Sequence, residues 1–421
     1  MIPGKTGWLQ EYLELRKGLL KDYQTDKKKS AHPEYALYRI IQPTGLMYGQ
    51  SVKVMDFPES DQWSEKDRLK ILLAESLIGS SILFYDKPIT NSEDLYGIIN
   101  QTIESIGNFY NHVFPELGSS SKTWYGKRKS PMEMAERILE KRIKRSTAHA
   151  NNFWINFFHN SLLFLDIYIF GEWIHTKGDK VVSDFFKYKK EELRGSIVKI
   201  IASAAHANHT IESEERKLLE YFLESADLSS EKKREARGIL EQGLEIEGID
   251  LPTNNSWILR KYFLEMAILT IWADKKVEDI EMTFLKRLTK HLSFPAEELD
   301  TSLLALEGFI LQHWDELEQL QSRHSLEHLS TQYIKRISSV VEINKSRLIT
   351  LAKGNQEMLA LLRKAQRNEL NLEEKLKMRE MILVMFKSIP NFSVVSLPQR
   401  FLTLSVLMKI LPKDFFAEVL N

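Results

Sequence analysis

Apolar residues recur three and four positions apart along most of the chain, and strict alternation of apolar with polar residues is short and scarce. That period belongs to amphipathic helices, so the sequence predicts an all-α fold made of multi-domain helical bundles. The stretch TNSEDLYGIINQTIESIGNFYNHVF shows the logic: Leu95, Ile98, Ile99, Ile103 and Ile106 form one stripe, Ser92 is placed to cap, and Glu93 and Asp94 suit the positive end of the helix dipole. Pro115 and Gly118 then stop it, and after a Ser/Gly loop Pro131 opens the next helix. Punctuation of this kind divides the chain into an N-terminal helical segment (1–118), a basic linker and helix (119–150), a central helical domain (151–320) and a C-terminal helical domain (321–421).

The linker segment carries Lys127, Arg128, Lys129, Lys141, Arg142, Lys144 and Arg145, which fit a solvated helix face or an RNA or anionic-lipid surface. The run NNFWINFFHNSLLFLDIYIFGEWI, residues 151–174, is apolar on all sides yet interrupted by Asn156, His159, Asn160, Asp166 and Glu172. A bilayer span needs about 20 apolar residues, so one buried helix at the centre of a bundle is expected here. Glu172 and His175 have the Glu-x-x-His spacing of di-iron bundles, but no second copy accompanies them.

An internal repetition follows. SAAHANHTIESEERKLLEYF and ILTIWADKKVEDIEMTFLKRL superpose at one offset, with Asn208 on Asp274, Ile211 on Val277, Glu215 on Glu281 and Leu219 on Leu285 (274 − 208 = 66). Each copy reads as an apolar helix, a tight turn, and a second helix opened by acids. Those acids serve as dipole caps, or else Asn208, Glu212, Glu215, Asp274, Glu278 and Glu281 converge as hard oxygen ligands for Ca2+ or Mg2+. The pattern resembles the TerB-like helical domain over about residues 193–315. The resemblance implies two pseudo-repeated helix pairs with acids between them, which bind metal in some members.

The last hundred residues carry the clearest punctuation. One long amphipathic helix is expected up to Gly354, then two helices joined at Asn368 to Asn371, with Asn371 as a cap for Glu373 and Glu374. SLPQRFLTLSVLMKILPKDFF is expected to form two helical pieces, broken near Pro398 and ended near Pro412, lying on the protein or at a membrane interface. Arg400, Phe401, Phe415 and Phe416 are the interface candidates. Within this region Leu362-Arg363-x-Ala365, Arg379-Glu380, Ile389-Pro390, Leu397-Pro398 and Lys409-x-Leu411-Pro412 occur in order, and together they resemble the end of the LETM domain. A TerB-like unit joined to such an end is similar to the bacterial LETM-related, biofilm-associated proteins. The resemblance implies a ribosome-binding-type helical module beside a membrane-associated segment, in a family linked to cation/proton exchange. Phe416 stands where that family usually has a second proline, and PQRF lacks the carboxylate of transporting members.

Composition narrows the function. Lys plus Arg equals Asp plus Glu at 58 each, so no global field draws the chain to nucleic acid, and DNA is not an expected partner. There is no cysteine, which removes thiolate chemistry and Cys-ligated metals. No phosphate loop, nucleophile elbow or paired-His motif is present, and His206 and His209 lack companions at zinc spacing, so neither an enzyme nor a small-molecule substrate is expected. Charges among the first residues, from Lys5 to Lys17, leave no signal-peptide core, so the protein is expected in the cytoplasm, peripheral to the inner membrane. The reading is a LETM-like adaptor for the ribosome or that membrane surface; the alternatives are a membrane cation/proton exchange protein and a divalent-metal-sensing TerB-like module.

Overall fold

The computed structural model describes residues 2–15, 32–52, 60, 62–85, 87–117, 129–146, 153–176, 183–207, 211, 213–251, 256–272, 279–317 and 325–420. Among these the protein is all-α, with no strand. They form two compact units, residues 1–293 and 294–421.

The first unit holds α1 (Trp8–Leu15), α2 (Pro33–Ile41), α3 (Glu65–Leu83), α4 (Ser92–Val113), α5 (Pro131–Ser146), α6 (Phe153–Asn160), α7 (Leu163–His175), α8 (Ser183–Ala205), α9 (Ser213–Ser225), α10 (Ser230–Gln242), α11 (Trp257–Trp272) and α12 (Asp279–His291). Helices α3 and α7 pack together at its heart, α4 and α8 contact both α7 and each other, and α11 lies on α8. Leu163, Phe164, Leu165, Ile167, Ile169 and Phe170 of α7 are all fully buried, as expected of a helix that is apolar all round. Gly171 permits the close approach of α3, since a Cβ there would stand 2.7 Å from Ser80 Oγ. At α1, the carboxylate of Glu136 on α5 accepts hydrogen bonds from the Gly7 and Leu9 amides at 3.0 and 2.9 Å, satisfying donors that a helix start leaves open.

Two local expectations are corrected here. In the run expected as one helix, the described residues 153–174 form two helices, parted at Ser161 and Leu162, because polar groups satisfy the broken ladder: the Ser161 carbonyl accepts from Tyr262 Oη at 3.2 Å, and Asn160 Nδ2 donates to the Gly49 carbonyl at 3.3 Å. Gly49 is at φ +69 with the Asn156 carbonyl 2.2 Å from where a Cβ would be, so no other residue fits that turn. The cap of α4 is Asn91, one residue earlier than expected; its Oδ1 accepts from the Asp94 amide at 2.8 Å. The stripe from Leu95 to Ile106 is buried throughout.

The second unit holds α13 (Glu297–Gln312), α14 (Leu326–Ile343), α15 (Lys345–Lys353), α16 (Gln356–Gln366), α17 (Leu372–Lys387), α18 (Leu404–Ile410) and α19 (Phe415–Leu420). The single long helix expected before Gly354 is broken at Asn344, whose Nδ2 donates to the Val340 carbonyl at 2.8 Å. Gly354 ends α15 with a right-handed φ of −73, so the left-handed glycine stop is not used. Asn371 forms a reciprocal capping box with Glu374, at 2.8 and 3.1 Å, and Asn368 takes the left-handed φ of +57 between α16 and α17. Arg336 of α14 ties down α13 through Glu307 (3.3 Å) and Asp300 (2.5 Å). Burial pushes the Glu307 carboxyl up to about 7 even though the Arg336 charge pulls the other way. No described helix is long and apolar enough to cross a membrane.

Candidate functional site

The repeated helix pairs keep their register: the second helices begin at Ser213 and Asp279, again one offset apart (279 − 213 = 66), and Leu219 and Leu285 are both buried. The two preceding helices, α8 and α11, pack directly on each other. The turns themselves, with Asn208, Glu212, Asp274 and Glu278, lie outside the described residues, as does the Glu215 side chain. Glu281 is described and is 2% exposed within α12. No group of three or more metal-ligating side chains occurs among the described residues. Helix α13, inside the span expected for the repeat, belongs to the second unit.

The motif residues of the C-terminal segment divide by exposure. Leu362, Ile389, Leu397, Pro398, Leu411 and Pro412 are buried, Ala365 is half-buried, and Arg363, Glu380, Pro390 and Lys409 face outward. Arg379 is the fastening. Its Nε donates to the Leu402 carbonyl at 2.8 Å and its Nη2 to the Gln399 carbonyl, so one planar guanidinium holds the turn that follows Pro398 against α17. The Pro398 carbonyl closes the turn by accepting from the Phe401 and Leu402 amides at 3.1 and 2.9 Å. Gly308 of α13 leaves room for the proline ring, 3.3 Å from where its Cβ would stand.

That turn corrects the expected helix before Pro398: from Ser393 to Thr403 there is none, and α18 begins only after Thr403, which caps the Val406 amide. The interface candidates divide. Arg400 is exposed and pairs with Glu316 at 3.4 Å; Phe401 is half-buried, edge-on to Tyr333; Phe416 is half-buried; Phe415 is fully buried in the unit and is not presented to a membrane surface.

A second site, in the first unit, was not evident from sequence. Asp166 is fully buried on α7, where its Oδ2 accepts from Arg142 Nε at 2.6 Å and Tyr110 Oη at 3.0 Å, while Oδ1 accepts from Arg142 Nη2 at 3.2 Å. Arg142 therefore turns inward, 5% exposed, and the basic run of α5 is not simply a solvated face. Arg194 of α8 stands 3.9 Å from Asp166 and 3.2 Å from Asp227. Asp227 also meets Lys190 and Arg145, and Glu116 meets the same two cations. Lys190, Arg194 and Arg142 all lie against the Phe114 ring, 4.5, 5.3 and 5.5 Å from its centroid. Phe114, Glu116, Arg142, Arg145, Arg194 and Asp227 border a cavity of about 250 Å³ that His159, Tyr221 and Glu224 also line.

Charge in this cluster is uneven. For Arg142, burial opposes ionisation, but the Asp166 charge and hydrogen bonds outweigh it and raise the pKa. For Arg194, burial and the neighbouring Arg142 charge prevail over Asp166 and Asp227, and the pKa falls. Lys190 is lowered in the same way, by burial and then by Arg194. Although Asp227 is itself partly desolvated, Arg194, Lys190 and Arg145 hold its carboxyl down to about 2. Elsewhere, Glu172 is engaged by Lys189 and by Tyr168 Oη, and His206 Nε2 lies 2.9 Å from the Leu240 carbonyl.

No family model and no solved structure matches the chain. It is similar to the co-chaperone protein DjlA of Vibrio vulnificus, 26% identical over 151 residues that make up 33% of this chain and 53% of that protein. It is also similar to DjlA of Vibrio cholerae, 26% identical over 123 residues, 27% of this chain and 43% of that one. The chain thus spans about half the length of the curated relatives it matches.

Proposed function

We propose that the chain is a non-catalytic adaptor whose LETM-like C-terminal segment binds the ribosome. The observation that carries this reading is the placement of charge. Residues 321–421 contain sixteen Lys and Arg against nine Asp and Glu, a net of +7 in a chain that is neutral overall. Arg363 and Arg367 stand one helical turn apart, exposed and in no ion pair among the described residues; Lys353, Lys375, Lys387, Lys409 and Lys413 are exposed as well. A rigid helical unit presenting unspent cations suits the phosphate backbone of structured RNA, which is recognised mostly by shape and charge.

Co-sedimentation of the full chain with ribosomes tests this. Binding should fall steeply with salt, and Arg363→Glu with Arg367→Glu should weaken it and flatten the log–log salt slope by roughly one to two. Equal pelleting with and without ribosomes, or a double variant that binds as the wild type does, would refute it. Retention on anionic vesicles without ribosome binding would move the same cations to the membrane surface. The likeness to the Vibrio co-chaperones favours a second reading, assistance to a chaperone. Refolding of a denatured reporter by a chaperone, with and without the chain, distinguishes it from the first.

A further inference from the structure

In the ion-pair network four cations, Arg142, Arg145, Lys190 and Arg194, meet three carboxylates, Asp166, Asp227 and Glu116, which leaves one positive charge in excess, while Glu224, the further carboxylate lining the cavity, is engaged by Lys233 and Arg237. A buried charge without full compensation is costly, and a further anion would relieve it. Arg194 marks where the compensation is missing. It is 3% exposed, lines the cavity, and its Nε has no hydrogen-bond partner among the described residues. Asp166 does not supply that partner, because its approach to Arg194 is through Nη2 at 3.9 Å, beyond hydrogen-bond distance, and Asp227 accepts from Nη1 rather than Nε.

The cavity is open to a ligand beside Arg145, whose side chain is 46% exposed, while Leu117 and Leu162 give it apolar walls. Its volume of about 250 Å³ lies below the ~300 to 1,000 Å³ of drug-sized sites, which selects a small ligand. Stacking on the Phe114 ring holds the Arg142 and Arg194 guanidinium groups in place, and a planar fork of N–H donors is the group best matched to paired oxygens. We propose that this cavity binds a small oxyanion, a phosphoryl or carboxylate group on a compact molecule, with Arg194 and Arg145 as its principal donors. This site is independent of the ribosome reading, which concerns the other unit.

Calorimetric titration of the full chain with inorganic phosphate, glycerol phosphate and succinate, at constant ionic strength in chloride, tests the proposal. At least one should bind saturably with a dissociation constant below ~10 mM. Binding of the two phosphates alone assigns the phosphoryl group, and binding of succinate alone assigns the carboxylate. Arg145→Gln should weaken that binding about tenfold or more, and Arg145→Lys, which keeps the charge and loses the fork, should fall between. Arg287→Gln, which removes an exposed arginine that does not line the cavity, should bind as the wild type does. Absence of saturable binding by all three probes, or equal affinity in wild type and Arg145→Gln, would overturn it.

Discussion

Asp166→Asn is the sharpest test of what holds the first unit together. The substitution keeps shape and removes one charge from a fully buried position, leaving Arg142 and Arg194, with side chains 7% and 3% exposed, facing each other without their shared counter-ion. Two hydrogen bonds from Arg142 and one from Tyr110 end on this carboxylate. Breaking a buried pair by deleting one partner costs about 3 to 5 kcal/mol, and the lower end applies here because the asparagine oxygen still accepts one bond. Urea unfolding followed by tryptophan emission reports on this unit, since seven of the eight tryptophans precede residue 294. The midpoint should drop by an amount equivalent to about 3 kcal/mol. The paired variant Asp166→Leu with Arg142→Met should do better than the sum of its single losses by at least ~1 kcal/mol, because neither charge is then stranded by the other. A loss for Asp166→Asn below ~1 kcal/mol would refute the account and show that water reaches the cluster freely.

Glu307 gives a pH dependence of known sign. Its folded carboxyl titrates near 7, above the ordinary carboxylate range, so the folded state holds a proton that the unfolded state gives up. Stability from this group is therefore full at acid pH and lost as pH rises through about 7, and calorimetry of the full chain between pH 5 and 8 should show a falling second-unit midpoint that Glu307→Gln flattens. An unchanged slope in the variant would reject the assignment. Arg379→Met should destabilise the second unit by ~1.5 to 3 kcal/mol, the range for hydrogen bonds from a charged donor. Arg379→Lys should recover only part of that, because one ammonium cannot serve the Leu402 and Gln399 carbonyls with the same geometry. Equal stability of wild type and Arg379→Met by thermal denaturation would remove Arg379 from its fastening role.

Much of the helix plan was legible because burial follows period. The stripe from Leu95 to Ile106, the Pro131 start and the Asn371 cap each depend on residues within a few positions of one another. The breaks at Ser161 and Asn344 were not legible, since each is held by a polar group that finds its partner only in the folded chain or by turning back on its own helix. The cation cluster was hidden for a related reason. Local charge marked Arg142 and Arg145 as members of a basic run, and nothing local says that Arg142 faces inward. The available signal was Asp166 itself: a carboxylate in the middle of LLFLDIYIF must be buried with that helix, and a buried carboxylate demands a cation. Such a demand specifies the partner's chemistry without its address, and Arg142 lies 24 residues away.

The stretch from Ser396 to Phe416 shows how a run that is apolar by composition becomes a protein core. Leu397, Leu402, Leu407, Ile410, Leu411 and Phe415 are each at most 6% exposed. Helix α18 packs on α14 and α17, and α19 on α15 and α16. At ~1.5 to 3 kcal/mol for each buried side chain, withdrawing these six from their own unit would sacrifice roughly 9 to 18 kcal/mol as an upper estimate. Insertion into a bilayer would return much of that apolar gain, but it would also strip Arg400 from water and from Glu316, and it would leave open the Leu402 and Gln399 carbonyls that Arg379 now satisfies. The polar terms therefore decide between the two environments, and they favour the folded unit. Arg400, Lys409 and Lys413 remain exposed in the folded unit, so the proposed contact with an anionic partner would be electrostatic, and salt should release it.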